Sequence, residues 1–505
     1  MTWAKLHDAL RLRGLLTSLS NASASAAPIA VTGIAYDSRR VEAGNVFVAL
    51  RGQHADGTAF VSDSIARGAV VVVSQDPAPP SPGVLWTQVS DARLALACLA
   101  AAFHGDPSRK MKVVGITGTN GKTTTAYLVA SVFEAAGLRT GLLGTVAYRI
   151  GSEVRPATRT TPEAPDVQAL LAEMVSGGCT ACVMEVSSHA LALRRVDGMT
   201  FAAAVFTNLT RDHLDFHADM EDYFQAKRRL FQILEPERPA VINADDPRAS
   251  SLADTTAGRT ITYGINRPAD IAPAALSYSL GGLEFQVSTP RGALNLRSRL
   301  VGRPNVYNIL AAVATAIALD VPIDAIEKGI ASLECVPGRF QVVSSPKDDV
   351  TVVVDYAHTD DALRNLLETA RPLAAGRIVT VFGCGGDRDR TKRPLMGAVA
   401  GRLSDVIFIT SDNPRSENPS RIIEEIQRGI TPDTRRGAGQ RILPVVDRKQ
   451  AIDEAVETAL AGDLVLIAGK GHEKYQVIGT ESLAFDDVAV ARASLVRRRS
   501  RQGGK

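Results

Sequence analysis

No apolar run in this chain is long enough to span a bilayer; the longest, such as 94–103 and 309–319, fall well short of the roughly 20 residues required. The N-terminus, Met1-Thr2-Trp3-Ala4-Lys5-Leu6-His7-Asp8, lacks the charged start and apolar core of a secretory signal. A cytoplasmic protein with no membrane insertion is therefore expected. Cysteine is scarce: five residues, odd in number and scattered, exclude a disulfide framework. Cys179-Thr180-Ala181-Cys182 has redox-like spacing but leads into an apparent buried strand, so packing is the expected role. Net charge is only +3, too little to argue for nucleic acid. The basic stretch Arg497-Arg498-Arg499-Ser500-Arg501 reads as a solvated tail.

What is present suits a soluble enzyme: 505 residues, 45% hydrophobic and 22% charged. That length suggests about three domains of roughly 150 residues. A polar, turn-rich break at Gly105-Asp106-Pro107-Ser108-Arg109 closes the first, over 1–109. Within it 46–50 and 69–73 read as buried strands. The second, 110–336, alternates apolar strands (113–116, 181–186, 202–206, 240–242) with helical stretches, which implies parallel strands and crossover helices. The third, 337–505, repeats the pattern with strands at 352–355, 378–382, 406–409 and 464–468. The expected fold is α/β in three domains: a mixed N-terminal part, a central phosphate-loop domain with a mostly parallel sheet, and a C-terminal Rossmann-like domain.

The strongest single signal is Thr117-Gly118-Thr119-Asn120-Gly121-Lys122-Thr123-Thr124, between an apolar strand and a helical stretch. Small residues let backbone N–H groups close around a phosphate, and the helix N-terminus adds positive potential. Lys122 would reach the outer phosphates and the Thr123 hydroxyl would ligate Mg²⁺. The glycine spacing is irregular: Gly118 lies too near Gly121 for the usual loop, and Gly115 one residue too far. Glu185 ends an apolar strand, where a carboxylate can face the loop and bind Mg²⁺, or simply stand as a surface charge. Asn208-Leu209-Thr210-Arg211-Asp212-His213 is dense in Asp and His for a chain with eight histidines; a metal or phosphate role competes with capping of the next helix. By pattern alone, Lys227 belongs to an amphipathic helix with exposed bases.

Together these pieces resemble the Mur ligases, the ATP-dependent amide-forming enzymes of peptidoglycan synthesis. The resemblance is carried by 117–124, Glu185 to His189, 207–215, 223–231, Gly302-Arg303-Pro304-Asn305, Pro337 to Phe340 and Asp355 to His358, and it covers essentially the whole chain. It implies ATP as co-substrate and two Mg²⁺ sites, one on Thr123 and Glu185, the other on His213 and Lys227 carried as a carbamate. An ammonium repels Mg²⁺, whereas a lysine carbamate is a carboxylate on a long arm. Lys122, Glu185, His213 and Lys227 become the implied catalytic set. Gly118, Thr119, Asn120, Gly121, Thr123 and Thr124 would hold the phosphates, with Asn305, Arg339 and Asp355 on the adenosine part. Pro304 stands where the family commonly has an aromatic, and Asp360 where Pro is usual.

The first region is similar to the branch of the family that adds the third residue of the stem peptide. Ser38 and Gln53-His54-Ala55 would contact the uridine diphosphate, and Thr160, Thr161, Ser187 and Arg195 the sugar–peptide part; Leu193 replaces a substrate-contacting Gln. Asp412-Asn413-Pro414-Arg415 resembles the signature of enzymes taking meso-diaminopimelate. Arg415 can grip the distal carboxylate that lysine lacks. Arg388, Gly469 and Glu473 match other positions holding that amino acid. The implied activity joins diaminopimelate to the D-Glu of UDP-MurNAc-L-Ala-D-Glu through an acyl phosphate. Its rivals are the lysine-adding ligase, a folylpolyglutamate synthase-like ligase, and a non-catalytic nucleotide-binding scaffold. A monomer that closes its domains around its substrates is expected.

Overall fold

The computed structural model describes residues 1–17, 28–52, 56–80, 83–437 and 439–502. The sequence-derived Gln53, His54 and Ala55 therefore lie outside the described residues. The N-terminal part builds a four-stranded sheet from Gly33–Ala35, Asn45–Val48, Val71–Ser74 and Leu85–Gln88, paired in chain order and all parallel. Its helix Ala92–Phe103 starts at Asp91, whose carboxylate caps the Leu94 amide.

An eight-stranded sheet forms the centre of the molecule. Strand Lys112–Thr117 lies between Ala203–Phe206 and Ala181–Glu185, parallel to both. Near-continuous apolar runs mark strands covered on both faces; Val113, Val114 and Ile116 are wholly buried. The apolar helix Arg303–Ala318 packs against one side of this sheet and against helix Lys122–Ala135. An antiparallel hairpin, Ala147–Ile150 and Glu153–Pro156, extends one edge, and a separate three-stranded antiparallel sheet spans 272–298.

The C-terminal sheet has six strands, led by the antiparallel Gln341–Val342, then Thr351–Asp355, Leu464–Ala468, Ile378–Phe382, Val406–Ile409 and Arg441–Pro444 in parallel. The solvated tail expected at the basic end is corrected here: it belongs to helix Asp487–Gln502. Arg498 is buried and forks onto Asp349 at 2.7 Å while donating to the carbonyls of Val456 and Ala459. A guanidinium with five donors satisfies open helix-end carbonyls and a carboxylate together, so Arg498 is structural, while Arg501 stays exposed.

A candidate phosphate-transfer site between the central and C-terminal parts

The glycine loop joins strand Lys112–Thr117 to helix Lys122–Ala135. Gly115 belongs to the strand, where a Cβ would press on the Phe201 ring at 2.8 Å. The loop itself needs Gly118 and Gly121, with φ of 145° and 84°. A Cβ on Gly118 would collide with the Thr207 hydroxyl, and one on Gly121 with the Asn308 amide oxygen. The loop is thus pressed between the end of strand Ala203–Phe206 and helix Arg303–Ala318. No side chain caps the helix starting at Lys122, so its first N–H groups and positive end face the loop.

Strand-end residues hold the loop in place. Thr119 N–H donates to the Asn208 carbonyl at 2.8 Å, Asn120 N–H to Asn208 Oδ1 at 2.9 Å, and the Thr207 hydroxyl to the Asn120 carbonyl at 2.6 Å. Two lysines converge on one carbonyl. Lys122 Nζ donates to Gly118 O at 2.9 Å and Thr119 O at 2.7 Å; Lys227 Nζ donates to Gly118 O at 2.8 Å. Neither has a carboxylate partner within 4.0 Å among the described residues. Lys227 is 1% exposed and sits over the Tyr223 ring at 4.2 Å. Burial, then the Lys122 charge, holds its ammonium well below the usual lysine range. Burial likewise lowers Lys122. The exposed base expected from pattern alone is therefore overturned. Lys227 shares the inward stripe of helix Met220–Gln232 with Tyr223, Leu230 and Phe231.

Glu185 is 1% exposed, not a surface charge. It accepts from the Thr123 hydroxyl at 3.0 Å, Thr145 N–H at 2.8 Å and the Thr145 hydroxyl at 3.1 Å. Thr145 was missed by sequence reasoning; its signal is the turn between two strands, ending opposite Glu185. Asp212 and His213 do not cap the following helix, since Asp219 accepts from the Glu221 and Asp222 amides there. His213 adopts a left-handed φ of 55° and meets His189 edge-on at 4.9 Å. Burial holds His213 well below its ordinary range and brings His189 down to about 4, so both are neutral imidazoles near neutral pH.

The hydroxyl–carboxylate pair of Thr123 and Glu185 supplies the hard oxygen donors Mg²⁺ takes. Lys227 as an ammonium does not fit a cation; converted to a carbamate, on its neutral amine, it does. No cluster of three or more His, Cys, Asp or Glu suited to a metal occurs among the described residues.

The C-terminal part reaches this loop directly. Arg339 donates to the Thr123 hydroxyl at 3.1 Å and stacks on the Tyr356 ring at 4.6 Å. Asp361 accepts from Asn120 Nδ2 at 3.2 Å, and Arg211 donates to the Thr391 hydroxyl at 2.7 Å. Asp355 accepts from the amides of Phe340 (2.6 Å) and Ala357 (2.8 Å), with its carboxyl raised by burial. Asn305 is engaged inside its own helix region, donating to Val301 O at 2.8 Å and accepting from Asn308 at 2.9 Å. Pro304 lies in the first helical turn, where its missing N–H costs nothing. Asp360 opens helix Asp360–Ala370 behind the Thr359 cap, a favourable place for an acid.

On the other side, Thr160 bonds Thr145 hydroxyl to hydroxyl at 3.0 Å, and Thr161 donates to Glu185 O at 2.8 Å while accepting from Ser187 N–H at 3.1 Å. Arg195, expected to meet an anionic group, pairs with Glu163 at 2.7 Å and donates to Thr161 O at 3.0 Å. Leu193 follows helix Ser188–Ala192 as its C-cap. Ser38 opens a short 3₁₀ turn capped by Asp37. That turn approaches the central part through Tyr36, whose hydroxyl donates to Asp166 at 3.0 Å.

At the far end, Asp412 and Asn413 are buried and Arg388 is exposed. Asn413 donates to Glu473 Oε2 at 2.9 Å and accepts from Lys470 at 3.1 Å; Lys470, wholly buried, also meets Glu473 Oε2 at 3.0 Å. Lys470 was another residue that sequence reasoning left unassigned. Gly469 is required because a Cβ would press on the Asp412 carboxylate at 2.6 Å. Following Pro414, Arg415 has a left-handed φ of 50° and donates to Gly386 O at 2.8 Å.

A central and a C-terminal α/β part meeting at one uncapped phosphate loop, with a third α/β part docked on the central one, define a multidomain nucleotide-phosphate enzyme. The matches to known families agree with that class. Residues 116–316 match the Mur ligase middle domain, 338–471 the Mur ligase glutamate ligase domain, and 30–104 the catalytic domain of the Mur ligase family. A UDP-N-acetylmuramoyl-L-alanyl-D-glutamate–2,6-diaminopimelate ligase from Geobacter sulfurreducens is 47% identical over 500 residues, covering 96% of each chain. One from Geobacter metallireducens is 49% identical over 473 residues, covering 90% of this chain and 92% of its own. A solved structure of a ligase bearing the same name is 34% identical, with a TM-score of 0.68 over 96% of this chain and 99% of its own. The chain belongs to the Mur ligase family.

Proposed function

We propose that this protein is an ATP-dependent ligase that joins meso-diaminopimelate to the D-Glu carboxylate of UDP-MurNAc-L-Ala-D-Glu in peptidoglycan synthesis, working in the cytoplasm. The observation that carries the reading is the lysine pair on Gly118 O. Lys122, with no acidic partner among the described residues and beside an uncapped helix N-terminus, forms a site that wants a polyanion, and Lys227 next to it, pushed toward its neutral amine, can be carbamylated. The relatives' shared name supports the substrates, and Arg415, next to Asn413 and with no carboxylate partner among the described residues, supports the amino acid.

In this account the loop amides and the helix start hold the ATP phosphates. Lys122 leaves the carbonyls of Gly118 and Thr119 to meet the charge on the transferring phosphoryl group. Thr123 with Glu185, and His213 with carbamylated Lys227, would hold two Mg²⁺ ions, which supply charge neutralisation at the transferring group when bound. Asn305, Arg339 and Asp355 serve the adenosine end. Thr160, Thr161, Ser187 and Arg195 position the sugar–peptide, while Ser38 and the 53–55 turn serve the uridine diphosphate. The D-Glu carboxylate attacks the γ-phosphorus and ADP leaves. The diaminopimelate amine then attacks the acyl phosphate, and phosphate departs from the tetrahedral adduct. Arg415 receives the distal carboxylate of the amino acid. Glu473, whose two side-chain bonds both go to Oε2, receives the distal ammonium, with Arg388, Asp412, Asn413, Pro414 and Gly469 shaping the pocket.

The test withholds the amine. With ATP, the UDP-linked dipeptide and hydroxylamine in place of diaminopimelate, a hydroxamate of the UDP-linked dipeptide should accumulate with ADP. ADP without any hydroxamate would mean that the chain does not pass phosphate to a carboxylate.

A further inference from the structure

Two loops, 383–388 and 411–417, carry the amino-acid end of the site, and they are stitched together edge to edge. Gly386 N–H donates to Asn413 O at 2.9 Å, and Arg415 returns a bond to Gly386 O at 2.8 Å. Asp387 accepts from Ser416 N–H at 3.2 Å and its hydroxyl at 2.6 Å, while its own N–H donates to Glu417 at 2.7 Å. Gly386 tolerates no side chain, because a Cβ would collide with the Pro414 carbonyl.

Behind this seam lies Arg393, on helix Lys392–Leu403, with a side chain that is 0% exposed. Its guanidinium forks onto both oxygens of Glu417 at 2.8 and 2.9 Å, meets Glu425 at 2.7 Å and donates to Gly385 O at 3.2 Å. Arg390 also bonds Glu425. Glu417 and Glu425 are thus taken up from behind, and Asp387 is held by Ser416. Arg415, only two residues from Glu417, keeps no carboxylate within 4.0 Å among the described residues. A forked arginine–carboxylate pair is directional as well as strong, so Glu417 is held on Arg393 and the Asp387 amide and not on Arg415.

We propose that Arg393 is a positioning residue for amino-acid specificity: by holding Glu417 and the Gly385 carbonyl, it leaves Arg415 free and aimed at the distal carboxylate of the incoming diamino acid. The proposal rests on the reading of Arg415 given above. Without Arg393, the two loops lose their common anchor, and Glu417 becomes a rival ligand for Arg415. Substrate must then displace an internal acid, which weakens diaminopimelate binding and leaves ATP and the UDP-linked substrate untouched.

The experiment measures steady-state kinetics of Arg393→Met, Glu417→Gln, the double variant and Arg415→Met, each checked by thermal unfolding. Arg393→Met should raise KM for diaminopimelate about tenfold or more and reduce the preference over lysine, with KM for the other two substrates unchanged. Adding Glu417→Gln should recover most of that loss, a coupling of the size neighbours in one ionic network show. A merely structural arginine would give no recovery, because the second change only removes another bond. If Arg393→Met does not fold, Arg393→Lys keeps the charge without the fork and should show the same shift in smaller degree. An unchanged KM for diaminopimelate in a folded Arg393 variant, or a loss that Glu417→Gln fails to relieve, overturns the proposal. If Arg415→Met leaves the preference for diaminopimelate intact, the reading of Arg415 fails and this proposal with it. If Arg415→Met erases the preference and a folded Arg393→Met does not, this proposal alone fails.

Discussion

Lys227 concentrates the argument at the scale of single residues. A wholly buried ammonium with only a carbonyl and a ring for company is a poor stabiliser, because its desolvation is not repaid by an opposite charge. Lys227→Ala should therefore cost roughly 100-fold or more in turnover, the scale of losing a group that acts on transition-state charge, while the melting temperature holds or rises. Short carboxylic acids should restore part of the rate by standing in for the proposed carbamate. A scaffold would be indifferent to the change, and full turnover in Lys227→Ala would refute the assigned role. The chain's own pattern could have warned against an exposed base. Lys227 is four residues after Tyr223 and three before Leu230, which puts it on the inward stripe of its helix. A long apolar stem makes such a lysine look like a surface residue in a one-letter string, and only the depth of the groove decides otherwise. Gly118→Ala is the complementary test: its Cβ has no room beside the Thr207 hydroxyl, so KM for ATP should rise at least tenfold, seen by nucleotide titration.

Ion pairs tucked under helices tie elements together alongside their apolar faces. Glu417 illustrates the pH consequence. The Arg393 fork lowers its carboxyl from 4.5 to about 2. The folded state then binds fewer protons than the unfolded one in that window, so its contribution is full above about pH 4.5 and fades as pH falls toward about 2. In melting curves taken across that range, Glu417→Gln should decline less steeply than the parent; a parallel decline would contradict the pairing. Helix Asp487–Gln502 is held by Arg448 and Asp487, both 0% exposed and 2.7 Å apart. Asp487→Asn leaves a buried unpaired guanidinium and should cost ~3–5 kcal/mol in denaturant unfolding. These elements also mark where the sequence was and was not legible. The parallel strands, such as 181–186 and 464–468, announced themselves as unbroken apolar runs because both faces are covered. The antiparallel sheet of 272–298 did not. In Gly282–Thr289, Leu283, Phe285 and Val287 are buried while their neighbours face outward, so its signal is alternation, not a run. The basic stretch at 497–501 looked solvated because its partners, Asp349, Asp453 and Glu457, are distant in sequence.

Across the whole molecule, the phosphate site exists only where the central and C-terminal parts meet. The glycine loop alone identified a phosphate binder. The residues that give it a direction, Arg339 and Asp361 from one side and Thr161 and Ser187 from the other, come from segments far apart in the chain. Small-angle scattering should show compaction when ATP, the UDP-linked substrate and amino acid bind together, as expected of domains that align three reactants; an unchanged profile would contradict it. The central claim is that this phosphate is passed to a peptide carboxylate for capture by diaminopimelate. The most direct measurement is phosphate release with ATP and UDP-MurNAc-L-Ala-D-Glu, comparing meso-diaminopimelate with L-lysine. Turnover is expected with diaminopimelate, and a kcat/KM roughly 100-fold or more lower with lysine, since the half-buried Arg415 would go without its carboxylate. Equal activity with both amino acids, or release with neither, would contradict it.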